Sequence, residues 1–300
     1  MGMYKDAGVN IQETRRLAGR LFELTTDNSL KDFTGAVEIE GKKIFNCCDG
    51  IGTKIIPLYE RKMYKTIAAD LVAANLNDMA TKDVKTVGFC DYIAVNKLDS
   101  DAVLKIILEL KQVLEIHGCK LTGGETAEMP DILKNGVIDI SGFATGIGNE
   151  ETEQGRSGDI IIGLKSSGIH SNGFSLIRKL YNEKKLSDKE FEECLTPSYI
   201  YYNVLRKLWD EKLIKSGANI TGGGIIENLS RIVDIKKCEL FWKNIPKMQI
   251  YQKLKRIAGD EIYDVFNCGI GFCIIADKKN REKIFELCKK FSPFEFGRVK

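Results

Sequence analysis

The residues able to do chemistry are concentrated in a few short stretches. Asp49-Gly50-Ile51-Gly52-Thr53-Lys54 combines a carboxylate, glycines, a hydroxyl and a lysine. Glycines let backbone N–H groups approach an anion with no Cβ in the way. Asp49 could hold a magnesium ion and Lys54 could meet a phosphate. The spacing is neither that of a Walker loop nor that of a dinucleotide fingerprint, and an ordinary tight turn is the competing reading. Asp70, Asn75, Asn77 and Asp78 lie within a run of Ala, Leu and Val. Buried carboxylates are costly unless paired or bound to a cation. Magnesium takes a few of them and fills its other positions with water and substrate phosphates. A polar helix edge in water is the alternative, but the apolar neighbours favour an ion site. Asp91 sits inside Val87–Ile93, and Glu125 follows Gly123-Gly124. Separated carboxylates without a histidine or cysteine among them suggest a hard metal, not zinc.

A second kind of chemistry is anion binding. Gly168-Ile169-His170-Ser171-Asn172-Gly173 precedes a helical pattern, and Thr221-Gly222-Gly223-Gly224 precedes another. Free N–H groups and the macrodipole make such helix starts ready anion sites; a capped helix with a flexible entry is the alternative. His170 could position substrate or move a proton, with positioning favoured because no orienting partner is evident. His117 reads as a helix C-terminal residue. Two anion cradles and an acidic cluster suit a phosphorylated substrate together with a nucleotide.

The elements that must position these groups follow from periodicity and breakers. Asn10 caps a helix whose apolar stripe is Ile11, Leu17, Leu21 and Leu24. Ala36–Ile39 and Lys43–Cys47 form a strand pair turning at Glu40-Gly41. The glycine-rich segment from Cys48 to Lys54 reads as irregular. Tyr64 to Ala80 is helical, with Ile67, Leu71, Ala74 and Met79 facing the core. Val84 to Val95 is a strand, Ala102 to Ile116 a helix, and Gly123 to Pro130 a loop after a short strand. Val137 to Ile147 is a strand, and the polar stretch after it places a domain boundary between 157 and 158. The second half has strands at Asp159–Leu164, Cys238–Phe241 and Cys268–Ile275. Its helices start at Phe174, span Tyr199–Ile214, follow Gly224, and cover Met248–Ile257 and Lys279–Lys290. An α/β or α+β class results. Gly118–Glu125 echoes Gly217–Gly224, each placing Thr-Gly-Gly after a small apolar strand; coincidence is equally open.

Composition bounds the function. The 300 residues suffice for one large domain or two ordinary ones. Forty-five basic against 42 acidic residues give a net charge of +3, which offers no case for a nucleic-acid partner. The 9 cysteines include no Cys-x-x-Cys pair and read as reduced thiols in a cytoplasmic protein. Neither a signal-peptide run nor a membrane span is expected.

Together these stretches resemble the aminoimidazole ribonucleotide synthetase (phosphoribosylformylglycinamidine cyclo-ligase) family. The resemblance rests on Tyr4-Lys5-Asp6-Ala7-Gly8-Val9, Asp49–Lys54, Asp70-Leu71-Val72-Ala73 with Asn77-Asp78, and Gly123-Gly124-Glu125-Thr126-Ala127-Glu128-Met129-Pro130. It continues through Ser166–Gly168, His170–Lys179, Thr221–Gly224 and Phe266–Gly271, in family order over nearly the whole chain. It implies two mixed α/β domains and a homodimer whose N-terminal strands build a shared β-barrel, with helices flanking the C-terminal sheet. It implies that ATP and magnesium drive the cyclisation of formylglycinamidine ribonucleotide to aminoimidazole ribonucleotide, with ADP and phosphate released. The implied metal set is Asp49, Asp78, Asp91 and Glu125. Lys5, Asp6, Gly50, Gly52, Thr53, Lys54, Asp70 and Asn77 join Asp49 and Glu125 around the nucleotide. Lys54, Asp78 and His170 are the implied catalytic residues. Gly168, His170, Ser171, Asn172, Gly173 and Thr221 with Gly222, Gly223 and Gly224 form the substrate side.

Three departures qualify the resemblance. Asn219 stands where the family usually has histidine, and an amide is neither acid nor base near neutral pH. The glycine-rich loop expected before Asp49 is reduced to Asp32-Phe33-Thr34-Gly35-Ala36, and the stretch after Phe296-Gly297-Arg298 is short. The alternatives are a degenerate nucleotide-binding homologue, or another ATP-using relative of the selenophosphate synthetase or thiamine-phosphate kinase type.

Overall fold

Two five-stranded sheets, one in each half of the chain, organise the computed structural model, which describes residues 3–25, 32–148 and 152–300. The first has the order β1-β2-β5-β3-β4: β1 (Gly35–Ile39), β2 (Lys42–Gly50), β3 (Val84–Val95), β4 (Lys120–Glu128) and β5 (Ile138–Gly148). All its pairings are antiparallel except β3 with β4. The exception follows from connectivity: the helix Ser100–Ile116 links β3 to β4, and a crossover of that kind returns the chain parallel. That helix is N-capped by Asp99, whose side chain accepts from the Ala102 amide at 3.1 Å.

The helix Tyr64–Met79 crosses the inner face of this sheet and buries Ile67, Leu71, Leu76 and Met79. Ala74 is only partly buried and lines a cleft instead. The outer face alternates out of the core and leaves Val37, Ile39, Phe143 and Ile147 between 44% and 55% exposed. Within this one chain the sheet is open, with β1 and β4 as its edges.

The second sheet has the order β7-β9-β6-β10-β8: β6 (Asp159–Lys165), β7 (Ser216–Asn219), β8 (Cys238–Leu240), β9 (Ile270–Asp277) and β10 (Phe294–Val299). Its inner strands β6 and β9 are buried on both faces along almost their whole length, so they read as continuous apolar runs without alternation. Helices including Phe174–Asn182, Tyr202–Asp210, Gln249–Ala258 and Arg281–Leu287 surround it.

Several expected boundaries move. β2 continues through Cys48, Asp49 and Gly50 because each has a partner in β5, at Phe143, Gly142 and Ser141. Gly123 to Glu128 is strand, not loop, zipped to β3. A Cβ at Gly124 would collide with the Asp91 carboxylate, so glycine there serves close approach inside a strand. The helix expected over Tyr199–Ile214 is only Tyr202–Asp210, because Tyr199 and Tyr201 hydrogen-bond to Asn77 instead. The C-terminal stretch holding Phe294–Val299 is a strand paired on both sides. On the helix Ile11–Thr25, Leu17 and Leu21 are 58% and 47% exposed, so that part of its apolar stripe faces away from the core.

Candidate active site

The end of β2, the helix Tyr64–Met79, the Gly168–Gly173 loop and the end of β7 converge on one cleft of about 300 Å³ between the two halves. Asp49, Gly50, Gly52, Thr53, Ala73, Ala74 and Asn77 line it from the first half. His170, Ser171, Asn172, Gly173, Ser198, Asn219 and Thr221 line it from the second. The Thr53 and Ser175 hydroxyls meet across the seam at 3.2 Å.

Asp49 is fixed by a reciprocal pair of hydrogen bonds. Its amide donates to Asn75 Oδ1, and Asn75 Nδ2 donates to its carbonyl, both at 3.1 Å. The carboxylate accepts from the Gly50 amide at 2.7 Å. Burial pushes the Asp49 carboxyl up, opposed by that amide. Asp78 is pushed up to about 8, by burial first and by the charge of Asp49 second. The Asn219 amide and the Arg231 guanidinium oppose the shift. Asn219 Nδ2 donates to Asp78 Oδ1 at 2.8 Å. The charge of Asp49 raises Asp78, so the pair is poor at holding two negative charges and suited to a divalent cation. Magnesium needs no more protein oxygens than these when phosphates and waters complete its shell.

The wider acidic cluster is not assembled. Among the described residues no three His, Cys, Asp or Glu side chains converge closely enough to hold an ion. Register explains why. Asp49 in β2 pairs with Gly142 in β5, Gly142 with Asp91 in β3, and Asp91 with Gly124 in β4. Paired residues share a face, so Asp49 and Asp91 point the same way, but two strand spacings, about 10 Å, separate their backbones. Asp91 is buried, and burial raises its carboxyl. Glu125 pairs with Tyr92, so its side chain leaves from the opposite, outer face and is exposed.

The expected phosphate lysine has a different position. Lys54 is fully buried, with its ammonium 2.8 Å from Asp70 Oδ2 and 2.8 Å from the Thr196 carbonyl. Asp70, also fully buried, accepts from the Ser198 amide at 2.7 Å. The ammonium is therefore committed inside the protein and Asp70 is committed to it, which corrects their expected places beside the nucleotide. Asn77 donates to the Tyr199 carbonyl at 2.9 Å and accepts from the Tyr201 amide at 2.8 Å. These three residues of the first half thus clamp the segment 196–201 of the second.

His170 lies in the cleft wall with φ +58, a left-handed conformation unusual for a residue other than glycine. The Ser167 amide donates to its Nε2 at 3.3 Å. Burial, then the Lys54 charge, lower its pKa to about 3. It is a neutral ring near neutral pH, with Nε2 held as the acceptor and Nδ1 carrying the proton. The Ser171 hydroxyl is enclosed without a hydrogen-bond partner among the described residues. Gly173, with φ +77, precedes the helix Phe174–Asn182 and gives it no side-chain cap. The Leu176 amide donates to the Gly173 carbonyl at 3.1 Å, which leaves the amides of Phe174 and Ser175 to meet a ligand.

Other expected residues stand outside the cleft lining. The Gly168 carbonyl is held by Tyr251 Oη at 2.9 Å and Asn267 Nδ2 at 3.1 Å. Gly222, Gly223 and Gly224 form a turn in which the Gly222 and Gly224 carbonyls accept from Asn228 Nδ2, and only the adjoining Thr221 lines the cleft. Lys5 and Asp6 are exposed on the short helix Met3–Asp6, while Val9 beyond them reaches the cleft. Sequence reasoning missed Ser175, Ser198 and Val9. Thr196-Pro197-Ser198 has only the composition of a turn, and its tie to Asp70 is a contact across 128 residues.

The fold defines a class first. The chain superposes on a chain of the HypE–HypF complex with a TM-score of 0.70 and 15% identity, covering 95% of this chain and 92% of that one. A thiamine monophosphate kinase from Aquifex aeolicus matches with a TM-score of 0.67 and 16% identity, over 97% and 96% of the two chains. This is the two-sheet α/β architecture those proteins share. Family profiles described as AIR synthase related protein, N-terminal and C-terminal domains, match residues 31–148 and 156–299. Phosphoribosylformylglycinamidine cyclo-ligase from Thermoanaerobacter pseudethanolicus is 38% identical over 94% of this chain and 92% of its own length. The enzyme of the same name from Prochlorococcus marinus strain MIT 9215 is 32% identical over 99% and 94%. The chain belongs to the AIR synthase family, among the phosphoribosylformylglycinamidine cyclo-ligases.

Proposed function

We propose that this protein closes the imidazole ring of formylglycinamidine ribonucleotide at the expense of ATP, giving aminoimidazole ribonucleotide, ADP and phosphate in purine biosynthesis. One observation carries the reading: Asp49, whose charge bears on Asp78, lines a cleft whose opposite wall holds the helix start after Gly173, which has no side-chain cap. One side suits a cation and the other suits a phosphate. A hydrogenase maturation protein solved in complex with ATP shares the fold with a TM-score of 0.62, which is consistent with a nucleotide here.

The chemistry sets what the residues must do. An amide oxygen leaves poorly until it is phosphorylated; the amidine nitrogen then attacks that carbon and phosphate departs. Magnesium, when bound, offsets the charge of the transferring phosphoryl group. Asp49 and Asp78 would hold it, with Asn219 keeping the Asp78 carboxylate in place. The amides after Gly173 and the Ser171 hydroxyl bind the sugar phosphate. His170, neutral and fixed, positions the substrate and donates one hydrogen bond through Nδ1 without changing charge. The Lys54–Asp70 pair holds the 196–201 segment against the first half, so the cleft keeps its width.

The working unit in this reading is a cytoplasmic homodimer. Two copies would cover the outer sheet face bearing Val37, Ile39, Phe143 and Ile147, joining their strands into one barrel and bringing Glu125 on that face to the shared site. The test is to incubate purified protein with magnesium, ATP and formylglycinamidine ribonucleotide and to measure ADP and the aminoimidazole product together. Equal amounts of both are expected. Binding of both ligands without product would identify a nucleotide-binding homologue instead, and turnover with thiamine phosphate alone would identify a kinase.

A further inference from the structure

A second cavity, of about 410 Å³, opens at the seam between the halves and has a charge character of its own. The first half contributes Asp32, Phe33, Thr81 and Lys82; the second contributes Ser216, Gly217, Ser230 and Arg231; Thr152, Glu153 and Gln154 complete it. None of these residues lines the catalytic cleft.

Its cations are not equally satisfied. Lys82, 7% exposed, sits 2.8 Å from Asp32. Arg231 stacks over the Phe33 ring at 4.4 Å and forms no ion pair among the described residues. Stacking fixes the guanidinium plane and leaves its edge donors free for an anion. Ser216, 2% exposed, carries an enclosed hydroxyl with no hydrogen-bond partner among the described residues. An orphaned buried hydroxyl costs free energy, and a turn between staggered rotamers brings a serine oxygen to a new partner. Gln154 Nε2 and the Thr81 hydroxyl are already engaged, with the carbonyls of Arg231 and Asp78, so they build the wall.

We propose that this seam cavity binds a phosphate group, with Arg231 as its forked donor and Ser216 as a neutral donor, beside the Lys82–Asp32 ion pair. The site joins both halves, and its walls lead directly to the catalytic cleft. Ser216 and Asn219 are the two ends of β7, while Thr81 follows, by one helical turn, the Asp78 that Asn219 holds. The assignment stands on this cavity alone and does not depend on which reaction the cleft performs.

The test is calorimetric titration of the full chain with inorganic phosphate at constant ionic strength, then with ribose 5-phosphate. The Arg231→Met variant is expected to lose about tenfold or more in affinity, and Ser216→Ala a smaller factor. Arg231→Lys should restore part of the loss, and Ser171→Ala in the cleft should retain this binding. Tighter binding of ribose 5-phosphate would identify a sugar phosphate as the ligand; equal binding would identify the free anion. Should Arg231→Met unfold, Lys82→Gln combined with Ser216→Ala gives the same reading. No saturable heat, unaltered affinity in the seam variants, or a loss confined to Ser171→Ala would overturn the proposal. Whether the wild type makes aminoimidazole product is measured separately, so failure of either idea is seen by itself.

Discussion

The ammonium of Lys54 lies 2.8 Å from the carboxylate of Asp70, and neither side chain has any exposure to solvent. Lys54 follows the glycine turn of the cleft floor, and Asp70 belongs to the helix behind it. Both also bind the 196–198 segment of the other half. Removing one partner leaves an uncompensated buried charge, which costs about 3–5 kcal/mol. Asp70→Ala is therefore expected to lower unfolding free energy by that amount in urea titrations. The double variant Lys54→Met with Asp70→Leu should recover most of it. A loss of turnover in Asp70→Ala without a loss of stability would return these residues to the phosphate-binding role expected from the sequence.

The contrast between these two residues shows what was legible beforehand. The helix around Asp70 and the long strand ending at Val95 could be read from periodicity, because each is a local pattern; the glycines at Gly50 and Gly123-Gly124 hid strand that only pairing with β5 and β3 reveals. The acidic candidates could be named because charge inside an apolar run is conspicuous. Their division could not. Asp91 and Glu125 are parted by strand register, which assigns each to a face only once β3 and β4 pair. Lys54 looked like a phosphate ligand because its partners lie 16 residues away at Asp70 and 142 residues away at Thr196. The strand Phe294–Val299 escaped because six residues with a glycine carry little signal until β6 and β8 flank them.

Asp78 gives stability a definite dependence on pH. Its carboxyl titrates near 8 in the folded protein against about 3.9 in an unfolded chain. Between those values the folded state binds the extra proton, so stability falls as pH rises from about 4 to 8. Asp78→Asn removes that contribution, and its melting temperature should gain on the wild type across this window. Magnesium added to the wild type should move the Asp78 titration downward. Turnover in Asp78→Asn should fall by about a hundredfold or more if the ion is held there; wild-type turnover would remove Asp78 from the metal set.

His170 behaves in the opposite sense. Its folded pKa of about 3 lies below the unfolded value of about 6.5. The stability it contributes is complete above 6.5 and drains away as pH falls toward 3. His170→Asn tolerates the left-handed backbone and should flatten the decline of melting temperature between pH 6.5 and 4. The rate–pH profile of the wild type should show no inflection from this ring between pH 5 and 8. An inflection near 6.5 that vanishes in His170→Asn would show the ring to be a working acid or base.

Gly224 tests whether the glycine turn shapes the cleft or only fills a loop. It has φ +72, and a Cβ there would collide with the Tyr263 carbonyl. Left-handed backbone alone costs an alanine about 1–2 kcal/mol, and the collision adds to it. Gly224→Ala should therefore destabilise by more than that and displace Thr221, raising KM for the ribonucleotide. Gly222, with φ in the ordinary range and only Asn172 Oδ1 at 3.5 Å from such a Cβ, should accept alanine with little change in stability. Equal effects at both positions would mean that local crowding does not set the turn.

The outer face of the first sheet leads to the last expectation. Val37 in β1 pairs with Ile44, and Ile44 with Ile147 in β5, so these residues form one row across three strands. Phe143 lies on the same face four residues earlier, beside Cys48 and Cys90. Charge introduced there is held in water at little cost to a monomer but must be desolvated in an interface. Phe143→Glu should therefore convert the proposed dimer to a monomer in light scattering coupled to size exclusion, while circular dichroism stays unchanged. Turnover should fall with it, because Glu125 points to that same face and away from its own chain's cleft. If Phe143→Glu keeps the mass of the wild type, the dimer does not use this face, and if it is monomeric yet fully active, Glu125 has no part in a shared site.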